Sequence, residues 1–154
     1  IIGVETVKKM NASTDGFTAN RAIVAMLWIV AIGIIVYWVS YFTEGSVHAS
    51  ADACYHSFQR SFPVPDAMIA LMCLLYAEGL RRIKPWSIFT GMAAVGGLLF
   101  LALIDISYNV WNDMYVITSG AIGAEIVINI VCLGAALCLW FYLYKHRNAL
   151  MQGS

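Results

Sequence analysis

Ala22 to Phe42 reads AIVAMLWIVAIGIIVYWVSYF, and nothing in the stretch carries a charge. A helix needs about 20 residues to cross the hydrocarbon core of a bilayer. Lipid offers no partner to an unpaired backbone amide or carbonyl, so a span of this kind is expected to be helical. Three further stretches fit the same description. Residues 86–108 and 120–144 are long and apolar, while residues 63–80, PVPDAMIALMCLLYAEGL, are shorter and hold Asp66 and Glu78. The composition agrees: of 154 residues, 61% are hydrophobic and 12% charged, too apolar for an ordinary soluble domain. The expected fold class is all-α, a four-transmembrane-helix bundle. Residues 21–144 would form the membrane domain, with spans over 22–42, 63–80, 86–108 and 120–144 and an outer loop over 43–62. Residues 1–20 and 145–154 would be tails. The first span follows a polar stretch and has too long an apolar core for a cleavable leader.

The basic residues set the expected orientation. With both termini cytoplasmic, the inner segments hold Lys8, Lys9, Arg21, Arg81, Arg82, Lys84, Lys145 and Arg147, and the outer segments hold only Arg60. Cytoplasmic loops carry the excess of lysine and arginine, so both tails and the RRIKP turn are expected on the cytoplasmic side of the cell membrane. Tyr37, Trp38, Tyr41, Trp86, Trp111, Trp140 and Tyr144 fall near span ends, where aromatic belts sit.

Several function classes are set aside. The formal net charge is zero, which implies no nucleic-acid partner. No dinucleotide fingerprint, phosphate-binding loop or HExxH pattern is present, and no cofactor is implied. The four cysteines include no CxxC pair, so a thiol oxidoreductase is not indicated. Gly96, Gly97, Gly120, Gly123 and Gly134 are small residues of the kind that let membrane helices approach closely, first within the bundle and second against another subunit.

The acids are the chemically pointed feature. Glu78 precedes Arg81 and Arg82 at helical ion-pair spacing and reads as structural. Asp66, Asp105 and Glu125 have no basic residue within a turn. Asp66 opens the second span just after FPVP, where an acid also suits a helix N-terminus. Asp105, in LALIDISYNVWND, is followed at three and four residues by Tyr108 and Asn109, so the three share one helix face. Glu125 has Asn129 one turn deeper on its own face. An ionisable residue at mid-membrane costs on the order of 2.5–3.5 kcal/mol on insertion scales, and usually faces the bundle interior or a wet cavity. Two readings follow: a hydrogen-bonded knot that ties helices together, or an outward-opening polar pocket. Asp66, Asp105, Tyr108, Asn109, Glu125 and Asn129 are the candidate ligand-binding residues, and a cation or an amine would relieve the uncompensated charge.

The outer loop, TEGSVHASADACYHSFQRSFPVPD, holds His48, Asp52, Cys54 and His56, residue types that bind transition metals. Their spacing matches no standard zinc pattern, so His48, Asp52 and His56 are a weak metal candidate. Phe58, Phe62, Pro63 and Pro65 suggest that the loop folds back over the bundle as a cap.

The motifs YWVSYFTEG, CYHSFQRSFPVPDA, LALIDISYNVWNDMY and AEIVINIVC resemble those of small, uncharacterised four-span membrane proteins of prokaryotes. The resemblance covers most of residues 37–133 and implies the four-span fold without a mechanism. In architecture alone the chain is also similar to the emopamil-binding and sigma-2 receptor group, helical bundles whose embedded acids and aromatics face a ligand cavity; Asp66, Asp105 and Glu125 would be the comparable acids. Three functions from different classes are open. One is binding or transport of a cation or small amphipathic molecule in an outward-facing acidic cavity. Another is a non-catalytic accessory subunit of a larger membrane complex. The third, ranked below both, is an isomerase using paired carboxylates, which needs acids held in one pocket at separated pKa values. The expected partners are the lipid bilayer, a small ligand or cation, and membrane protein subunits.

Overall fold

The computed structural model describes residues 19–44, 47–48, 50–116 and 120–152. Lys8, Lys9 and the rest of the N-terminal tail up to residue 18 lie outside them. Helix α1 spans Arg21–Thr43, α2 Ala53–Gln59, α3 Pro63–Arg81, α4 Ser87–Trp111 and α5 Gly120–Gln152, with one 3-10 turn at Met114–Val116. No strand occurs among the described residues. Helices α1, α4, α5 and the α2–α3 segment are long and apolar enough to cross a membrane. Large apolar side chains such as Ile29, Ile32, Val39, Phe89 and Phe141 point outward. A soluble monomer rarely exposes so continuous an apolar surface, and lipid is the solvent that suits it. The chain is built as a multi-pass membrane protein.

Local chemistry fixes the helix ends. Asn20 caps α1, its side-chain oxygen accepting from Ala22 N at 2.9 Å. Asp52 caps α2, accepting from Cys54 N at 2.7 Å and Tyr55 N at 3.4 Å. Helix α2 cannot run straight into α3, because Pro63 and Pro65 carry no N–H for a preceding carbonyl; at the first turn of α3 that donor is not missed. Helix α3 closes in a Schellman turn, with Ile83 N donating to Leu80 O and Lys84 N to Gly79 O. The turn places Ile83 at φ 51°, an unusual position for a β-branched residue. Asp113 closes α4 at the same φ. Helix α5 runs on past Tyr144 to Gln152, so the segment read as a C-terminal tail begins as helix.

The helices pack in the order α1, α3, α4, α5. Their main core lies toward the α3–α4 turn, here called the base. Leu27, Cys73, Tyr76, Leu80, Leu98 and Leu139 are fully buried there. Glycines allow the approach: a Cβ on Gly91 would sit 2.9 Å from the Tyr76 ring, and one on Gly97 2.6 Å from Ile69. By contrast α1 and α5 barely touch. One link between them lies at the base, where Asn20 N donates to Tyr142 Oη at 3.3 Å. The bundle is therefore left parted between its first and last helices.

Candidate functional site

Toward the α2 end the core gives way to polar side chains. Asn109 of α4 is completely buried. Its amide nitrogen donates to Glu125 Oε2 at 3.1 Å and to Asp105 Oδ2 at 3.2 Å. Asn129 Nδ2 donates to the same Asp105 oxygen at 2.6 Å. Tyr55 of α2, also fully buried, donates its hydroxyl to Glu125 Oε1 at 2.6 Å. The Gln59 side chain, one turn along α2, reaches Asp105. Two carboxylates on neighbouring helices are thus joined through the two hydrogens of one amide. These hydrogen bonds fasten α4, α5 and α2 together. Among the described residues no lysine, arginine or histidine pairs with Asp66, Asp105 or Glu125.

Asp66 stands apart from the cluster on α3. The buried Trp38 indole donates to its Oδ2 at 2.7 Å, and its Oδ1 is buried without a hydrogen-bond partner among the described residues. Asp66, Asp105, Glu125 and Asn129 all border one cavity of about 280 Å³. Ile29, Gly33 and Tyr37 of α1 form one wall, and Val127, Ile128 and Val131 of α5 the opposite one. Gln59 and Phe62 close the α2 end. The walls are mostly apolar and the acids gather at one end, a division suited to a molecule with an apolar body and a cationic head.

The predicted residues part company in instructive ways. Asn109 does not border the cavity; it lies behind the two carboxylates and sets their spacing. Tyr108 leaves the group and stacks on Phe58 of α2, centroids 3.9 Å apart and planes within 8°. Successive positions turn by about 100° on a helix, so Tyr108 and Asn109 lean to opposite sides of Asp105, one toward α2 and the other toward α5. The metal candidates come together only in part: the His48 and His56 rings meet edge to face, centroids 4.8 Å apart, but each candidate already has another partner. Asp52 is occupied in capping α2, His48 Nε2 donates to Tyr41 O at 3.1 Å, and His56 Nδ1 shares a 3.1 Å hydrogen bond with the Tyr41 hydroxyl. Among the described residues no three His, Cys, Asp or Glu side chains are arranged to hold a metal.

Sequence reasoning passed over Trp38, Tyr37, Tyr55, Gln59 and Gly33. By position the first two read as aromatic-belt residues, yet Trp38 is buried against Asp66. Tyr55 and Gln59 were readable in principle: Asp52 is a good N-cap residue, and a helix begun there puts positions 55 and 59 on one face.

No family model, curated protein or solved structure matches this chain.

Proposed function

We propose that the protein binds a small amphipathic cation, such as an organic ammonium, in the acidic cavity at the α2 end of the bundle, and that this end faces outward. The carrying observation is the pairing of an apolar-walled cavity with Asp66 and Asp105, neither matched by a basic side chain. Asp66 Oδ1 is buried with no hydrogen-bond partner among the described residues, so burial of this carboxyl is only partly compensated. Carboxylates in a low-dielectric setting are costly when unpaired, and a cation removes that cost. An organic cation suits the site because most of the lining beyond the acids is apolar and matches a hydrocarbon body.

The test is phenethylammonium binding to the protein in nanodiscs, followed by calorimetry. Asp66→Asn and Asp105→Asn keep shape and remove charge; each should weaken binding about tenfold or more while the melting temperature shows the fold intact. Folded variants that bind as well as the parent would refute the reading. Orientation rests on the eight-to-one distribution of basic residues. Cys54 is exposed at the α2 end, so in a variant with the other cysteines replaced an impermeant maleimide should label it from outside intact cells. Labelling only after permeabilisation would reverse the orientation.

The accessory-subunit reading keeps one specific support. A Cβ on Gly96, Gly123 or Gly134 would meet nothing within 4 Å, so these glycines are not used inside the bundle and are free to receive another helix. Binding of an ammonium by the isolated chain would favour the cavity as its function.

A further inference from the structure

The cavity has a side as well as a floor. Its two long walls belong to α1 and α5, the helix pair that barely touches. The lining residues sort into two depths. Trp38, Glu125 and Asn129 are buried, whereas Ile29 is 68% exposed, Val127 59% and Val131 52%. Exposed apolar side chains halfway along two membrane helices face hydrocarbon, not water. Gly33 lies one turn from Ile29 and one turn from Tyr37, on the same stripe of α1, and is itself exposed. A Cβ placed there meets nothing within 4 Å. The α1 wall therefore lacks a side chain where the gap stands open, while Gln59 and Phe62 cover the α2 end.

We infer that the cavity opens sideways into the bilayer between α1 and α5, with Gly33 as the sill of the opening, and that its ligand is a membrane-dissolved alkylammonium. This inference rests on the cation-binding reading above and extends it. The head group lies at Asp66 and Asp105, and the chain passes over Gly33 into the lipid. The charge complement and the apolar opening call for one molecule carrying both features. The acids lie at the inner end of the cavity and exposed apolar side chains of α1 and α5 line the gap, so a chain attached to a bound head group leaves through the side.

Gly33→Leu tests the opening, because it places a side chain in the gap at a position where the added Cβ meets nothing within 4 Å. Dodecylammonium and phenethylammonium are compared on the protein in phosphatidylcholine nanodiscs. The variant should weaken dodecylammonium binding about tenfold and leave phenethylammonium within about threefold of the parent. Gly96→Leu, the same change at another open glycine outside the cavity, should alter neither. If Gly33→Leu spares dodecylammonium while Asp66→Asn and Asp105→Asn abolish it, the acidic cavity stands and the lateral opening is refuted. If the two asparagine variants bind both amines as the parent does, the cavity reading itself falls and the opening with it. Equal losses of both amines in Gly33→Leu would also refute the opening, since the change would then be acting on the head-group site.

Discussion

The two ends of the bundle are held together by different forces. At the base, apolar side chains of α1, α3, α4 and α5 close on one another, and glycines let them come nearer than any other residue would. At the α2 end the helices are joined by amides, a phenol and carboxylates around a void. In lipid, burying one more leucine gains little, because the tails outside are equally apolar; helices associate through close packing and hydrogen bonds. The base uses the first device and the α2 end the second. The polar cluster replaces a packed core at that end, and so leaves a cavity that a packed core would fill.

The largest expected effect lies at the base. Gly91→Leu drives a side chain into the Tyr76 ring and forces α3 and α4 apart. It should cost about 1–3 kcal/mol, the usual range for overpacking, read as a clear fall in melting temperature in detergent. An unchanged melting temperature would mean that the base is not tightly closed, and the contrast between the ends would disappear.

A smaller effect is expected at the α2 end. Tyr55→Phe removes the hydroxyl that donates to Glu125 and keeps the ring. The loss should be about 1 kcal/mol and local: amides of residues 53–59 should exchange hydrogen faster, while those of α3 and α4 near the base keep their rates. Equal exchange in parent and variant would show that α2 is held by its aromatic contacts, Phe58 on Tyr108 among them, and not by the carboxylate.

Gly33→Ala should have the smallest effect and the opposite sign to Gly91→Leu. Glycine inside a helix is less stable than alanine by roughly 0.5–1 kcal/mol, and here the added methyl meets nothing. A slight rise in melting temperature is the expected outcome. A fall would mean that α1 and α5 close on Gly33, which would remove the gap.

Much of this architecture is legible in the chain. The uncharged run from Ala22 to Phe42 is long and apolar enough for a spanning helix, and Asn20 and Pro63 stand where helices begin, whereas the short helix that Asp52 caps lies within the stretch read as an outer loop. The site is only half legible. Asp105 with Asn109, and Glu125 with Asn129, are paired by helical spacing within their own segments. Trp38 could not be assigned to Asp66 in this way, because the two lie on different helices, 28 residues apart.

The sequence by itself determined what each segment is: helical, apolar all round, and polar at a few fixed positions along its length. The tertiary structure alone decided how each helix is turned about its axis and which helices stand side by side. A soluble helix reveals its buried face through an amphipathic stripe. Here both faces are apolar, since one meets protein and the other lipid. That is why Tyr108 turns toward α2 while Asn109 turns toward α5, and why Gly33 borders an opening while Gly91 lies under a tyrosine ring.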